Sequence, residues 1–285
     1  MQQVSAHVLS ETGQRGSNPS IVATTAGVVV IDTAQLPSDA IALRSRAESM
    51  GRIEYLINTE HHADHIFGNY FFKGAGLVVH HQEIFDSFMV PEPPIDPYEY
   101  VREAARVHDP KGYALVPDRD TYFQDPNKAA VTFSDDLVIR LGDHTFELLH
   151  TPGHTPGQTA VFVPEERVVF TGDTVFSGCQ TWLMTSDLNQ WLVALDRIAG
   201  LDVDFVVPGH GPVTTPAYLR TQRATLLEWM SAVADAVARG WTREETIERI
   251  DPGAGLPVDI GLESMKEHIH TQNAGSLWDK LTASR

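Results

Sequence analysis

Between Asn58 and His65 the chain reads N-T-E-H-H-A-D-H. The run follows Ile53–Ile57, an apolar stretch that reads as a buried strand. Side chains alternate in direction at a strand end, so Glu60 and His62 point one way and His61 is turned away. Asp64 and His65 follow in the turn and reach a neighbouring point. The segment therefore offers two adjacent ligand sites rather than one.

Three later segments each add one metal-ligand residue in a glycine-rich turn. They are His154 in T-P-G-H-T-P-G, Asp173 in F-T-G-D-T and His210 in V-V-P-G-H-G-P. Each also follows an apolar run, respectively 146–149, 167–170 and 205–207. Imidazole and carboxylate are the ligand types preferred by divalent zinc, iron and manganese. Four strand ends that deliver His or Asp into tight turns can build one cluster from distant sequence.

Taken in order, these segments resemble the metallo-β-lactamase superfamily, whose signature is H-x-H-x-D-H. The likeness continues through G-H-T-P-G, T-G-D and P-G-H-G, and through V-V-V-I-D-T near the start, spanning roughly Ser20 to Gly211. The resemblance implies an α+β fold, a four-layer αββα sandwich of hydrolases. It implies that His62 and His154 hold a first metal, that Asp64, His65 and His210 hold a second, and that Asp173 bridges them. Asp32 would orient the ligands from behind. One position departs: the family's first histidine is Glu60 here. Read as a carboxylate ligand, Glu60 completes the first site; as a pendant acid, it leaves that site weak. The implied cofactor is a pair of divalent ions, Zn2+ first, with Mn2+ or Fe2+ admitted by the oxygen ligand.

Around these motifs the chain alternates strands and helices. Residues 20–34 read as two β-branched strands joined at Ala26-Gly27, followed by a helix over 39–50. Strands are expected at 53–59 and 77–80, a short helix near 68–72 and another at 82–89. Residues 90–127, broken by prolines and dotted with Tyr98, Tyr100, Tyr113, Tyr122 and Phe123, read as a lid or wrapped edge. Strands resume at 137–141, 145–149, 159–163 and 167–170. Asp187 caps a helix over 188–198. Helices follow at 216–239, 243–250 and near 275–281. The organisation is a main domain over 1–215 and a helical extension over 216–285 packed on it.

Composition narrows the function. Hydrophobic content of 42% with 21% charged residues describes an ordinary globular protein. A net charge of −17 argues against a nucleic-acid or anionic-membrane partner, since both reward basic patches. The N-terminal residues are polar and mixed, no apolar run reaches the length of a membrane span, and Cys179 is the single cysteine. The expectation is a cytoplasmic enzyme; oligomeric state is left open.

The chemistry expected is hydrolysis of a small molecule by a hydroxide held between two cations ~3.5–4 Å apart. Asp64 and Asp173 are the candidates to orient that nucleophile or move its proton. A carboxylic ester or lactone is favoured, a glyoxalase II-like thioester is the rival, and a mono-iron persulfide dioxygenase is the alternative of another class. No G-x-S-x-G is present, so a serine mechanism is unsupported. Phe176, Trp182 and Met184 follow Asp173 on the loop that lines the metal site in the superfamily and are the candidate pocket residues. Cys179 reads as a packed small residue, and His7, His80, His81, His108, His144 and His150 as surface or hydrogen-bonded side chains.

Overall fold

The computed structural model describes residues 1–91, 95–183, 186–253 and 255–283. Its first sheet holds β1 (Gln2–Gln3), β2 (Val8–Ser10), β3 (Ser20–Thr24), β4 (Gly27–Ile31), β5 (Ile53–Ile57), β6 (Leu77–His81) and β7 (Val131–Phe133), side by side in that order. The second holds β8 (Leu137–Leu141), β9 (His144–His150), β10 (Thr159–Val163), β11 (Val168–Phe170) and β12 (Phe205–Val207), in the order β12-β11-β10-β9-β8.

Continuous apolar strands require cover on both faces. In β4, Val29 and Ile31 join an inter-sheet cluster with Ile57, Val79, Phe146, Leu148, Val161 and Phe170. Their neighbours Val28 and Val30 face the other way, onto Leu43 and Ala47 of the helix Pro37–Met50. The second sheet obeys the same period of two. Ala160, Phe162, Val169 and Val206 turn outward to meet Trp191, Leu195, Leu226 and Leu277 from the helices Leu188–Ala199, Ala217–Ala238 and Lys266–Ala283. The layers are therefore helix, sheet, sheet, helix, the αββα arrangement that the resemblance implies.

Strand directions decide where the site lies. β4, β5, β6 and β7 are mutually parallel, and β11 runs parallel to β12 while β9–β10 and β10–β11 are antiparallel. The C-terminal ends of β9, β11 and β12 thus share one edge of the second sheet, as those of β4 and β5 do in the first. At that edge Thr159 N donates to Thr59 O across the sheets, 2.8 Å. All four ligand-bearing turns leave from this seam.

Several elements differ from the sequence expectation. Residues 97–124 are helical, with segments Pro97–His108, Pro110–Tyr113 and Arg119–Gln124. Pro97 and Pro110 open helices rather than break them, and Asp96, Asp109 and Asp118 cap the three N-termini by accepting from Glu99 N, Gly112 N and Thr121 N. The last helix runs over Lys266–Ala283, far longer than the expected 275–281. Its first half is polar and has no apolar stripe of its own. Asn273 holds it instead, accepting from Leu183 N (2.8 Å) and donating to Thr181 O (2.8 Å). The helix after β6 stops at Asp86. Strands β1, β2 and β7 have no sequence signature, because two or three residues carry no period. Among the described residues no helix is long and apolar enough to cross a membrane.

Phe146 is fully buried between the sheets. Phe146→Ala should cost about 3–5 kcal/mol in urea unfolding of the metal-free protein. A loss below about 1 kcal/mol would show that the inter-sheet layer is not the main core.

Candidate metal centre

Asp32 ends β4 in a left-handed conformation, φ 57°, which turns its carboxylate back over the seam. It accepts from Thr59 N (2.8 Å) and Thr59 Oγ1 (2.6 Å), and its Oδ2 lies 2.9 Å from His65 Nδ1. A carboxylate can only accept here, so His65 Nδ1 carries a proton and Nε2 is the nitrogen that faces inward. Thr33 N and Thr33 Oγ1 both donate to His65 O, 2.9 Å each, fixing the backbone of the same residue.

The seam gathers the expected residues into two groups, Glu60, His62, His154 and Asp173 in one, Asp64, His65 and His210 in the other. Within each, ligand atoms lie within 4.8 Å of one another. Glu60 Oε2 is 2.6 Å from His62 Nδ1, and His154 Nε2 is 3.3 Å from the same nitrogen. Asp173 spans the groups: Oδ1 is 3.2 Å from His65 Nε2, and Oδ2 is 3.4 Å from His154 Nε2 and 3.3 Å from His210 Nε2. Asp64 Oδ2 is 3.3 Å from His210 Nε2.

Close approach of backbones makes this possible. A Cβ on Gly209 would fall 1.9 Å from Asp173 Oδ1, so only glycine leaves room for the bridging carboxylate. Trp191 Nε1 donates to Thr174 O (2.9 Å) and its ring sits edge-on to His154, centroids 5.1 Å apart. Asn18 clamps the last turn, its Nδ2 donating to Pro208 O (2.9 Å) and Gly211 O (2.8 Å).

The donor set fits divalent cations. Glu60 Oε1, His65 Nε2 and Asp173 Oδ1 are buried without a well-directed hydrogen bond, although His65 Nε2 lies 3.2 Å from each oxygen. Lone pairs that converge without bonding one another are what ligands around an ion present. The electrostatics agree. Burial pushes the Glu60 carboxyl up to about 7 against the pull of His62. Burial also opposes charge on His65 and His210, yet Asp173 and its neighbouring carboxylates hold both rings well above the ordinary imidazole range. Burial, helped by the neighbouring imidazoles, drives His154 well below that range despite Asp173. Glu60, Asp64 and Asp173 crowd negative charge into a site that calls for positive charge.

A cleft opens over the centre, with about 970 Å³ between its walls including the mouth. Phe176 and Trp182 line it, and Phe176 stacks on His210 with ring planes 8° apart. Met184 lies outside the described residues. Of the tyrosines expected to cover the site only Tyr100 reaches the cleft; Tyr98 packs on Phe67 and Tyr122, and Tyr113 beside Leu36. His61 belongs to neither ligand group but lines the cleft. Cys179 is buried, and burial pushes its thiol up to about 12, so it packs rather than reacts. Sequence reasoning missed Asp259, whose Oδ2 lies 2.8 Å from His210 Nδ1. No motif marks it, and it stands 49 positions beyond the ligand it touches.

The model of the family described as Metallo-beta-lactamase superfamily matches residues 12–210. A "Beta-lactamase-like protein 2 homolog" of Caenorhabditis elegans is 25% identical over 70% of this chain and 57% of its own length. An acyl-coenzyme A thioesterase of Gallus gallus is 35% identical over 26% of this chain and 28% of its own. The chain thus spans little more than half of the first relative and about a quarter of the second. Among solved structures, a metallo-beta-lactamase family protein of Thermus thermophilus superposes with a TM-score of 0.64 at 17% identity, covering 97% of this chain and 94% of its own.

Two substitutions probe the centre. Gly209→Ala should displace Asp173 and weaken zinc binding by about tenfold or more while far-UV circular dichroism stays unchanged; unaltered affinity would remove Asp173 from the ligand set. Glu60→Gln keeps shape but deletes a charge, so chelator competition should show weaker binding at one site only. Unchanged affinity would make Glu60 a pendant group.

Proposed function

The chain belongs to the metallo-beta-lactamase superfamily, and on that premise we propose that it is a metal-dependent hydrolase cleaving the acyl bond of a small uncharged or aryl-bearing molecule, a carboxylic ester or lactone. One observation carries the reading: two ligand groups linked by Asp173 meet the floor of a cleft with largely apolar walls through His62, Asp64, His154, Asp173 and His210. Ligand pockets commonly combine apolar walls with a few placed polar groups.

Glu60, His62, His154 and Asp173 would hold one cation and Asp64, His65 and His210 the other. Zinc is the first candidate, manganese and iron the alternatives; when bound, such ions supply Lewis acidity and lower the pKa of water toward neutrality. Asp64 is the more accessible of the aspartates in the cluster, its side chain 20% exposed against 6% for Asp173. Burial works against its charge, but His65 and His210 hold it down at about 2, so it stays ionised at neutral pH. It can therefore accept a hydrogen bond from the attacking water and orient it. Asp173, more enclosed and held well below the carboxylate range by His210 and His65 against burial, suits the bridging role.

The walls supply selection. The indole of Trp182 is tethered through Nε1 to Gln272 Oε1, and Phe176 is fixed by its stacking on His210. Two rigid aromatic faces beside the cluster favour a flat apolar group next to the scissile carbonyl. A thioester is the second reading, supported by the likeness to the Gallus gallus thioesterase over part of the chain.

A panel of aryl esters, lactones, thioesters and phosphodiesters at equal concentration separates these. Esters or lactones should lead in kcat/KM, and Trp182→Ala should lower the leading value on the order of tenfold. A leading thioester would establish the second reading. A leading phosphodiester, or indifference to Trp182→Ala, would overturn the pocket. Metal analysis of the same preparation should give two ions per chain; one iron with oxygen uptake would instead mark an oxygenase.

A further inference from the structure

His210 is oriented by a residue far outside the family match. Its Nε2 faces Asp64 Oδ2 and Asp173 Oδ2, 3.3 Å from each, while its Nδ1 lies 2.8 Å from Asp259 Oδ2. Because the carboxylate accepts, Nδ1 carries a proton, and Nε2 is left as the nitrogen that faces Asp64 and Asp173 and that would bind a cation in place of its own proton. Asp32 does the same for His65 across 2.9 Å. Both imidazoles of the second group are thus backed by a carboxylate. One comes from the end of β4 within the matched region, the other from a segment beyond it.

That segment is seated on the cleft. Gln180 N donates to Pro257 O (2.8 Å) and Gln180 Nε2 to Pro252 O (3.1 Å). Val258, Asp259 and Leu262 line the same cleft as the metal-ligand residues. Asp259 is nearly buried there, its side chain 12% exposed beside the 5% of His210. A carboxylate this enclosed is placed at a cost in solvation, and the His210 ring is its one hydrogen-bonded side-chain partner among the described residues.

We propose that Asp259 is a positioning residue for His210, and that cation binding and the docking of residues 255–262 form one coupled equilibrium. The proposal rests on the reading that the cluster holds divalent cations. Asp259 fixes the ring that completes the second group, so undocking the segment loosens a ligand. By linkage, occupying the site must hold the segment down to the same extent. The segment also forms a cleft wall, so metal loading and completion of the substrate pocket go together.

The test uses the whole 285-residue chain, stripped of metal and titrated with Zn2+ against a chromogenic chelator. Asp259→Ala should lose about 10–100-fold in affinity at one of two sites. Asp259→Asn keeps an acceptor oxygen at the same reach and should recover most of that loss. Hydrogen exchange supplies the second readout: Zn2+ should slow the amides of 255–262 in the unsubstituted protein and not in Asp259→Ala. Affinity within about twofold of the unsubstituted protein in Asp259→Ala would overturn the proposal, as would equal impairment of both variants. If Asp259→Ala fails to fold, the exchange result on the unsubstituted protein decides alone, and unchanged amides overturn it. An unsubstituted protein that binds no Zn2+ removes the metallohydrolase reading itself. Normal binding that Asp259→Ala leaves intact removes only the role of Asp259.

Discussion

The constraint on which this molecule turns is the enclosure of Glu60, Asp64 and Asp173 with four imidazoles at the seam between two sheets. Buried like charges are expensive, and nothing in the apolar inter-sheet layer offsets them. The surrounding structure spends its polar groups on holding the ligands still rather than neutralising them. Asp32 and Asp259 grip ring nitrogens, Thr33 and Asn18 grip backbone, and Gly209 clears a path for a carboxylate. Such rigidity opposes the relaxation by which a charge cluster would otherwise relieve itself. Bound cations would supply the positive charge that completes it, and the cost of the empty cluster would add to their affinity.

The sheets set this up geometrically. Each ligand turn leaves a C-terminal strand end at one seam, so an error in any strand's register would move its ligand by a residue and onto the opposite face. The buried alternation of Val28 to Ile31 and of Ala160 to Val163 makes such a slip costly, because both faces of each strand are committed to different clusters. Packing in the core and precision at the metal centre are in this sense one property.

What is legible in the sequence follows from the same logic. The grouping of Glu60 and His62 apart from Asp64 and His65 can be read because strand period is local, and the layered fold is legible only through the resemblance that the ordered turn motifs carry. Residues 97–124 read as irregular because proline has opposite meanings at the first turn of a helix and within it, and only the aspartate caps tell them apart. The long final helix is hidden for a different reason: its polar first half is ordered by Asn273 on a distant backbone, an interaction with no local trace. Asp259 belongs to the same kind, since an aspartate in a Pro/Gly-rich stretch looks like any surface residue until the tail is folded over the cleft.

Glu60 shows how one substitution shifts the chemistry without disturbing the frame. A carboxylate at that position adds negative charge where an imidazole would add none, and its burial raises its pKa, so it holds a proton more firmly than an exposed glutamate does. A cation competes with that proton, and the competition grows easier as pH rises through the region near 7. The group of Glu60, His62, His154 and Asp173 therefore has two oxygen donors and two nitrogen donors. That set is harder than an all-imidazole one, which under the proposed function is the reason manganese and iron stand beside zinc as candidates. The second group keeps two imidazoles, each aligned by a carboxylate behind it, and one aspartate. The two halves of the centre are thus chemically unequal, and the inequality originates in a single position of the octapeptide at the end of β5.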